Sequence, residues 1–137
     1  MQKYIGTKII EAEPMSRGQG GKAEDGYKVR YPDGYESWSP KDVFEEAYRP
    51  TGCMSFGLAI EAMKKGKKVA RRGWNGKNQH IELATRISYM TAEGVFVNAE
   101  HEAIGNKAIA FCGTSGVQMG WLASQADMLA DDWEVVE

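Results

Sequence analysis

No helix or strand can run through Arg49-Pro50-Thr51-Gly52-Cys53. Proline removes a backbone donor there and glycine frees φ, so any regular element must end on either side. A chain of 137 residues interrupted in this way offers one domain or two small modules, not a large enzyme. We divide it into a β-rich N-terminal module over 1–50 and a second domain over 54–137. With 42% hydrophobic and 26% charged residues the composition is that of a globular chain, not a disordered one. The expected class is α+β: a small antiparallel β-sheet with short helices, preceded by the small β-rich module.

In the first module, the run from Lys3 to Ala12, with Tyr4, Ile5, Ile9 and Ile10, predicts a strand. The Gly-rich stretch Ser16 to Gly21 has no phosphate-loop pattern and is expected to be a flexible connection. Tyr27-Lys28-Val29-Arg30-Tyr31 alternates with period two. Pro32-Asp33-Gly34 then supplies a turn, and Tyr35 to Trp38 the returning strand. Ser39, Pro40 and Asp42 predict a helix start with Ser39 as the cap and Pro40 at the first helical position. Val43, Phe44 and Ala47 give that short helix an apolar side.

The second domain opens with Ser55 as a helix cap. Phe56, Ala59, Ile60 and Met63 recur at helical spacing, and Gly66 ends the helix. Short strands follow at Val69-Ala70, 80–84, 87–90, 95–97, 108–112 and 117–122. Arg72-Gly73-Trp74-Asn75-Gly76-Lys77 reads as a hairpin turn and 98–107 as a polar loop. Ser124 and Asp127 predict a capped short helix through Leu129, and Trp133 to Val136 a last strand.

Charge is distributed unevenly. Seven of the 17 basic residues fall between Lys64 and Lys77 with no acid among them, which leaves 10 basic residues elsewhere against all 19 acidic ones. A chain so acidic outside one patch is a poor binder of nucleic acid polymers, although the patch suits a small anion. A solvated charged face is the plainer alternative. No apolar run is long enough to span a bilayer, and Met1 to Lys8 has no apolar signal-peptide stretch. Two cysteines, Cys53 and Cys112, are too few for a disulfide scaffold and point to a reducing compartment.

Catalytic signatures are absent: no H-E-x-x-H, C-x-x-C, G-x-S-x-G or Walker A. His80 and His101 are the two histidines, and the acids beside His101, Glu100 and Glu102, do not make a metal cage by spacing. No metal, cofactor or enzymatic activity is expected. What remains is recognition chemistry. Trp74 in its turn can stack on a flat ring, and Asn75 can pair with a base edge or a ribose hydroxyl. Gly73, Gly76 and the Gly113 to Gly116 loop allow backbone amides to approach phosphate, with Arg71, Arg72 and Lys77 as cations. The alternative for Trp74 is ordinary packing. Trp121 and Trp133, on either side of the last short helix, have an equally plain alternative as core, and Ser124 with Asp127 as a capping pair.

The stretch from Met54 to Lys77, and that from Ile104 to Trp133 with its Trp121-Leu122-Ala123-Ser124-Gln125-Ala126-Asp127-Met128-Leu129-Ala130-Asp131-Asp132-Trp133 run, resemble a phage-borne family, the second type of Thoeris anti-defence protein. The resemblance covers Met54 to Glu137, and the first module resembles an extension found on some members. It implies a sponge: members bind the glycocyclic ADP-ribose signal made by bacterial TIR-domain proteins and withhold it from the effector. Some also bind cyclic dinucleotides at a separate site, and the family assembles as a homotetramer. By position, Trp74 would stack on adenine with Asn75, Gly76, Lys77 and Arg72 around it. Trp121, Ser124 and Asp127 would belong to the C-terminal wall. The implied location is the cytoplasm of the infected bacterial host. An enzyme that degrades such a signal, or a protein-binding phage structural module, are the alternatives.

Overall fold

A computed structural model of the chain describes residues 1–18, 23–74, 78–99 and 107–136. It divides into two compact units, Met1–Arg49 and Pro50–Glu137. The class is α+β: among the described residues there are three short helices, and every paired strand is antiparallel.

The first unit is a meander of β1 (Glu11–Pro14), β2 (Gly26–Arg30) and β3 (Glu36–Pro40), followed by α1 (Lys41–Ala47). The Pro32-Asp33-Gly34 turn forms as expected: Gly34 takes φ 90°, its amide donates to the Tyr31 carbonyl at 2.8 Å, and Asp33 Oδ1 accepts from the Tyr35 amide at 2.9 Å. Val29 is buried, and Tyr27 stacks on Phe44 with centroids 4.1 Å apart. Gly26 has no substitute, because an added Cβ would overlap the Trp38 ring and the Ser39 carbonyl.

Two expectations fail in this unit. The strand expected over 3–12 is confined to Glu11–Pro14, and Tyr4 and Ile5 are exposed. Their apolar residues come as adjacent pairs, which cannot share one face of a strand. The segment that does pair sets Glu11 opposite Arg30 and Glu13 opposite Lys28, while both cations bond Glu36 on β3. Ser39 does not cap α1. It is held in the β2–β3 ladder opposite Tyr27, so the cap position passes to Pro40, which has no side chain to offer, and the Lys41 amide is satisfied by the Asp25 carbonyl at 3.0 Å.

The second unit places α2 (Phe56–Lys64) on one face of a five-stranded sheet. The strand order is β10-β4-β5-β8-β9, from β4 (Lys68–Arg71), β5 (His80–Ala84), β8 (Ala108–Gly113), β9 (Gly116–Met119) and β10 (Trp133–Val136). A separate hairpin is made by β6 (Ile87–Met90) and β7 (Phe96–Ala99). Ser55 caps α2, accepting from the Leu58 amide at 3.3 Å, and Gly66 leaves it at φ 87°. The helix buries Ala59, Ala62 and Met63 against Val69, Ile81, Met54 and Trp133.

Several boundaries move. The polar loop expected from 98 begins inside β7, and residues 100–106 lie outside the described residues. The expected Gly113–Gly116 loop is the end of a hairpin in which Gly113 and Gly116 face each other and Thr114-Ser115 make the turn. The strand expected over 117–122 stops at Met119, because Gly120 turns out of it at φ 87°.

Candidate functional site

Trp133 is the first residue of β10 and is fully buried. It is held on three sides. Its backbone exchanges two hydrogen bonds with Met54, at 2.8 and 3.1 Å. Its indole N–H donates to the Asp127 carbonyl at 2.9 Å, within α3 (Gln125–Met128). Phe56 from α2 packs against its ring at 5.2 Å.

Two half-buried indoles lean on this floor. Trp74 leaves β4 through Gly73, at φ 85°, and meets Trp133 edge-on at 5.4 Å. Trp121 leaves β9 through Gly120 and meets Trp133 edge-on at 6.1 Å. Trp74 and Trp121 also touch each other, 5.9 Å apart with their planes at 63°, and Phe111 closes the other side of Trp74 at 5.7 Å. Trp74 therefore does not stand clear of the protein, as a turn position suggested. It is partly core and partly surface, and so is Trp121. Edge-to-face packing of this kind fixes ring orientation.

The charges beside the indoles are mostly committed. Arg71 donates through Nε to Asp132 Oδ1 at 3.0 Å and through Nη1 to Asp127 Oδ1 at 3.1 Å. Asp132 first, and Asp127 second, hold the guanidinium in its charged form. Arg71 is therefore not a free cation for phosphate, contrary to the expectation from the basic run. Arg72 is exposed, and its Nη2 donates to the Gly52 carbonyl at 2.6 Å and to Cys53 Sγ at 3.2 Å.

Ser124 and Asp127 form a complete capping box on α3. Ser124 Oγ accepts from the Asp127 amide at 3.1 Å, and Asp127 Oδ2 accepts from the Ser124 amide at 3.0 Å. Burial alone would raise the Asp127 carboxyl, but the Ser124 hydrogen bonds and the Arg71 guanidinium outweigh it and hold the group below its ordinary value. The sign follows. A depressed native value favours folding above the ordinary aspartate range, and that contribution is lost as pH falls through the native value. Asp127→Asn, which keeps an acceptor but loses the charge, should cost ~1–2 kcal/mol at neutral pH and flatten the acid limb of the stability curve. Thermal melts from pH 7 to pH 2 test this; coincident parent and variant curves would reject it.

Asn75, Gly76 and Lys77 lie outside the described residues. Phe56, Phe111 and Asp132 belong to this cluster, and the sequence reading assigned them no part in it. Phe56 carried only a helical-periodicity signal, and Asp132 none beyond its place next to Trp133.

Residues 54–136 match the Tad2-like family, described as the Thoeris anti-defense 2-like domain. The chain belongs to this family. A curated relative, Thoeris anti-defense 2 of Bacillus phage SP01, is 39% identical over 88 residues, which cover 61% of this chain and 94% of that protein. The Tad2-like match spans the whole aromatic cluster from Phe56 to Trp133 together with the Arg71–Asp127–Asp132 charges. Residues 1–53 fall outside it. Among the described residues, no helix is long and apolar enough to cross a membrane.

Proposed function

We propose that this protein is a phage anti-defence sponge, in which the Tad2-like domain binds a cyclic nucleotide signal and withholds it, uncleaved, from a bacterial defence effector. Glycocyclic ADP-ribose is the primary ligand, with cyclic dinucleotides as a second class. The observation that carries this reading is the pair of partly buried indoles, Trp74 and Trp121, fixed at 63° to each other over the buried Trp133. Two rigid π-faces at an angle suit a ligand with a flat base and a bent macrocycle.

In this reading Trp74 stacks on the base, with Asn75, Gly76 and Lys77 beside it and Arg72 toward phosphate. Trp121 and the exposed Ser124 hydroxyl form the other wall, and Asp127 acts by holding Ser124 and Arg71 in position. Sequestration rather than turnover is supported by the acids at hand: Asp127 and Asp132 are both ion-paired to Arg71, which leaves neither poised as a general base.

Assembly as a homotetramer, with ligands at subunit junctions, is supported by apolar side chains left in water. Val117 and Met119 on the edge strand β9, then Leu122 and Leu129, are all exposed, as are Tyr89, Met90, Val95 and Phe96 of the β6–β7 hairpin. A pocket closed by a second chain can enclose most of a small ligand. Residues 1–50 are an appended module, and the site of action is the cytoplasm of the infected host. Stoichiometric competition with a receptor calls for nanomolar affinity, about −12 kcal/mol.

The test is recovery. The protein is incubated with glycocyclic ADP-ribose, denatured by heat, and the released compound weighed. Intact ligand in stoichiometric yield is expected. A product of altered mass would replace sequestration with degradation, and no binding of any cyclic nucleotide would favour a structural role.

A further inference from the structure

The opposite face of the sheet carries a second constellation, independent of the indole site. Antiparallel pairing sets His80 directly across from Cys112, and Glu82 lies two residues further along β5. Side chains alternate along a strand, so these three share the face turned away from Ile81 and α2. Their donor atoms all lie within 4.8 Å of one another. Glu82 Oε1 is 3.3 Å from Cys112 Sγ and 3.9 Å from His80 Nε2.

The histidine is set up in a particular way. Its Nδ1 lies 2.9 Å from the Asn78 carbonyl oxygen, which can only accept. Nδ1 therefore carries a proton, and in the neutral ring Nε2 presents the lone pair. That Nε2 is buried and has no hydrogen-bond partner. A buried acceptor left empty is costly to a fold and calls for an explanation. An imidazole that donates through one nitrogen to a backbone carbonyl and aims the other at a thiol and a carboxylate has the arrangement of a metal ligand with its supporting hydrogen bond.

We propose that His80, Glu82 and Cys112 bind a zinc ion. One nitrogen, one sulfur and one carboxylate oxygen are the donor types zinc accepts. Bonds of about 2.0–2.3 Å place tetrahedral ligands roughly 3.3–3.8 Å apart, and the two measured separations already bracket that range. Binding releases the Cys112 thiol proton to solvent, and the Glu82 oxygen that now accepts from the thiol becomes a ligand. Thiolate and carboxylate then neutralise the dication, the imidazole stays neutral, and water fills the fourth position.

The experiment uses the full chain, reduced, stripped with chelator and dialysed against zinc sulfate, with metal read by atomic emission. One zinc per chain is expected. Cobalt in its place should give a thiolate-to-cobalt charge-transfer band. Cys112→Ser and His80→Gln should each weaken zinc binding by more than the ~10–100-fold that loss of an outer-shell group costs. Cys53→Ser should keep both zinc and band. Circular dichroism checks that the variants fold; if Cys112→Ser does not, the cobalt band of the Cys53→Ser protein decides. Absence of that band, or zinc content unchanged in either ligand variant, overturns the site.

Discussion

Trp133→Ala should remove much of the stability of the second unit. The indole is fully buried and touches Phe56, Trp74 and Trp121, and its N–H holds the Asp127 carbonyl. Truncating a buried tryptophan costs ~3–5 kcal/mol, against a net stability of ~5–15 kcal/mol for a whole domain. The carbonyl left behind adds to the loss, because α3 ends there and nothing of similar reach replaces the indole. Urea denaturation followed by circular dichroism reads the effect as a fall in midpoint. Trp133→Phe, which keeps a ring but not the donor, should lose markedly less. A shift below ~1 kcal/mol for the alanine variant would mean that the aromatic floor is not the keystone its burial implies.

Trp74→Ala addresses function. Trp74 is only partly buried, so its removal costs the fold less than loss of Trp133, yet under the proposed function it removes the base-stacking surface. One stacked base is worth ~1–3 kcal/mol, so Kd for glycocyclic ADP-ribose should rise roughly 5- to 150-fold. The oligomer should survive, as read by sedimentation. Trp74→Phe separates the two roles: it keeps most of the contact with Trp133 and Phe111, and should recover part of the affinity. Parent-like affinity in Trp74→Ala would remove Trp74 from the ligand site and leave it as packing alone.

The reliable sequence signals were short-range ones. Pro32-Asp33-Gly34 forms its turn because Pro sets φ and Gly accepts a positive one, both within three residues. Ser55 caps α2, and Ser124 with Asp127 caps α3, because cap and acceptor are three residues apart and meet whatever surrounds them. Ser39 has the same chemistry and does not cap, since the β2–β3 ladder claims it first. The strand expected over 3–12 failed for a related reason: apolar content without alternation names no face, and the pairing went to the Glu11–Pro14 segment instead.

Turns, caps, the α2 periodicity and the family resemblance over Met54 to Glu137 were thus contained in the residues themselves, because each depends on neighbours along the chain. Tertiary structure alone decided which side chains meet across it. Arg71 reads as one cation in a basic run, but the pairing of β4 with β10 brings it to Asp132, and α3 brings it to Asp127, so it serves the fold. Cys112 and His80 are 32 positions apart and carry no spacing motif, and only the β5–β8 register sets them opposite each other. A one-residue slip would turn every side chain of that strand to the other face, and register is settled by the burial of Ile81 and Phe111 under α2 and the indoles, a property of the folded sheet rather than of either strand.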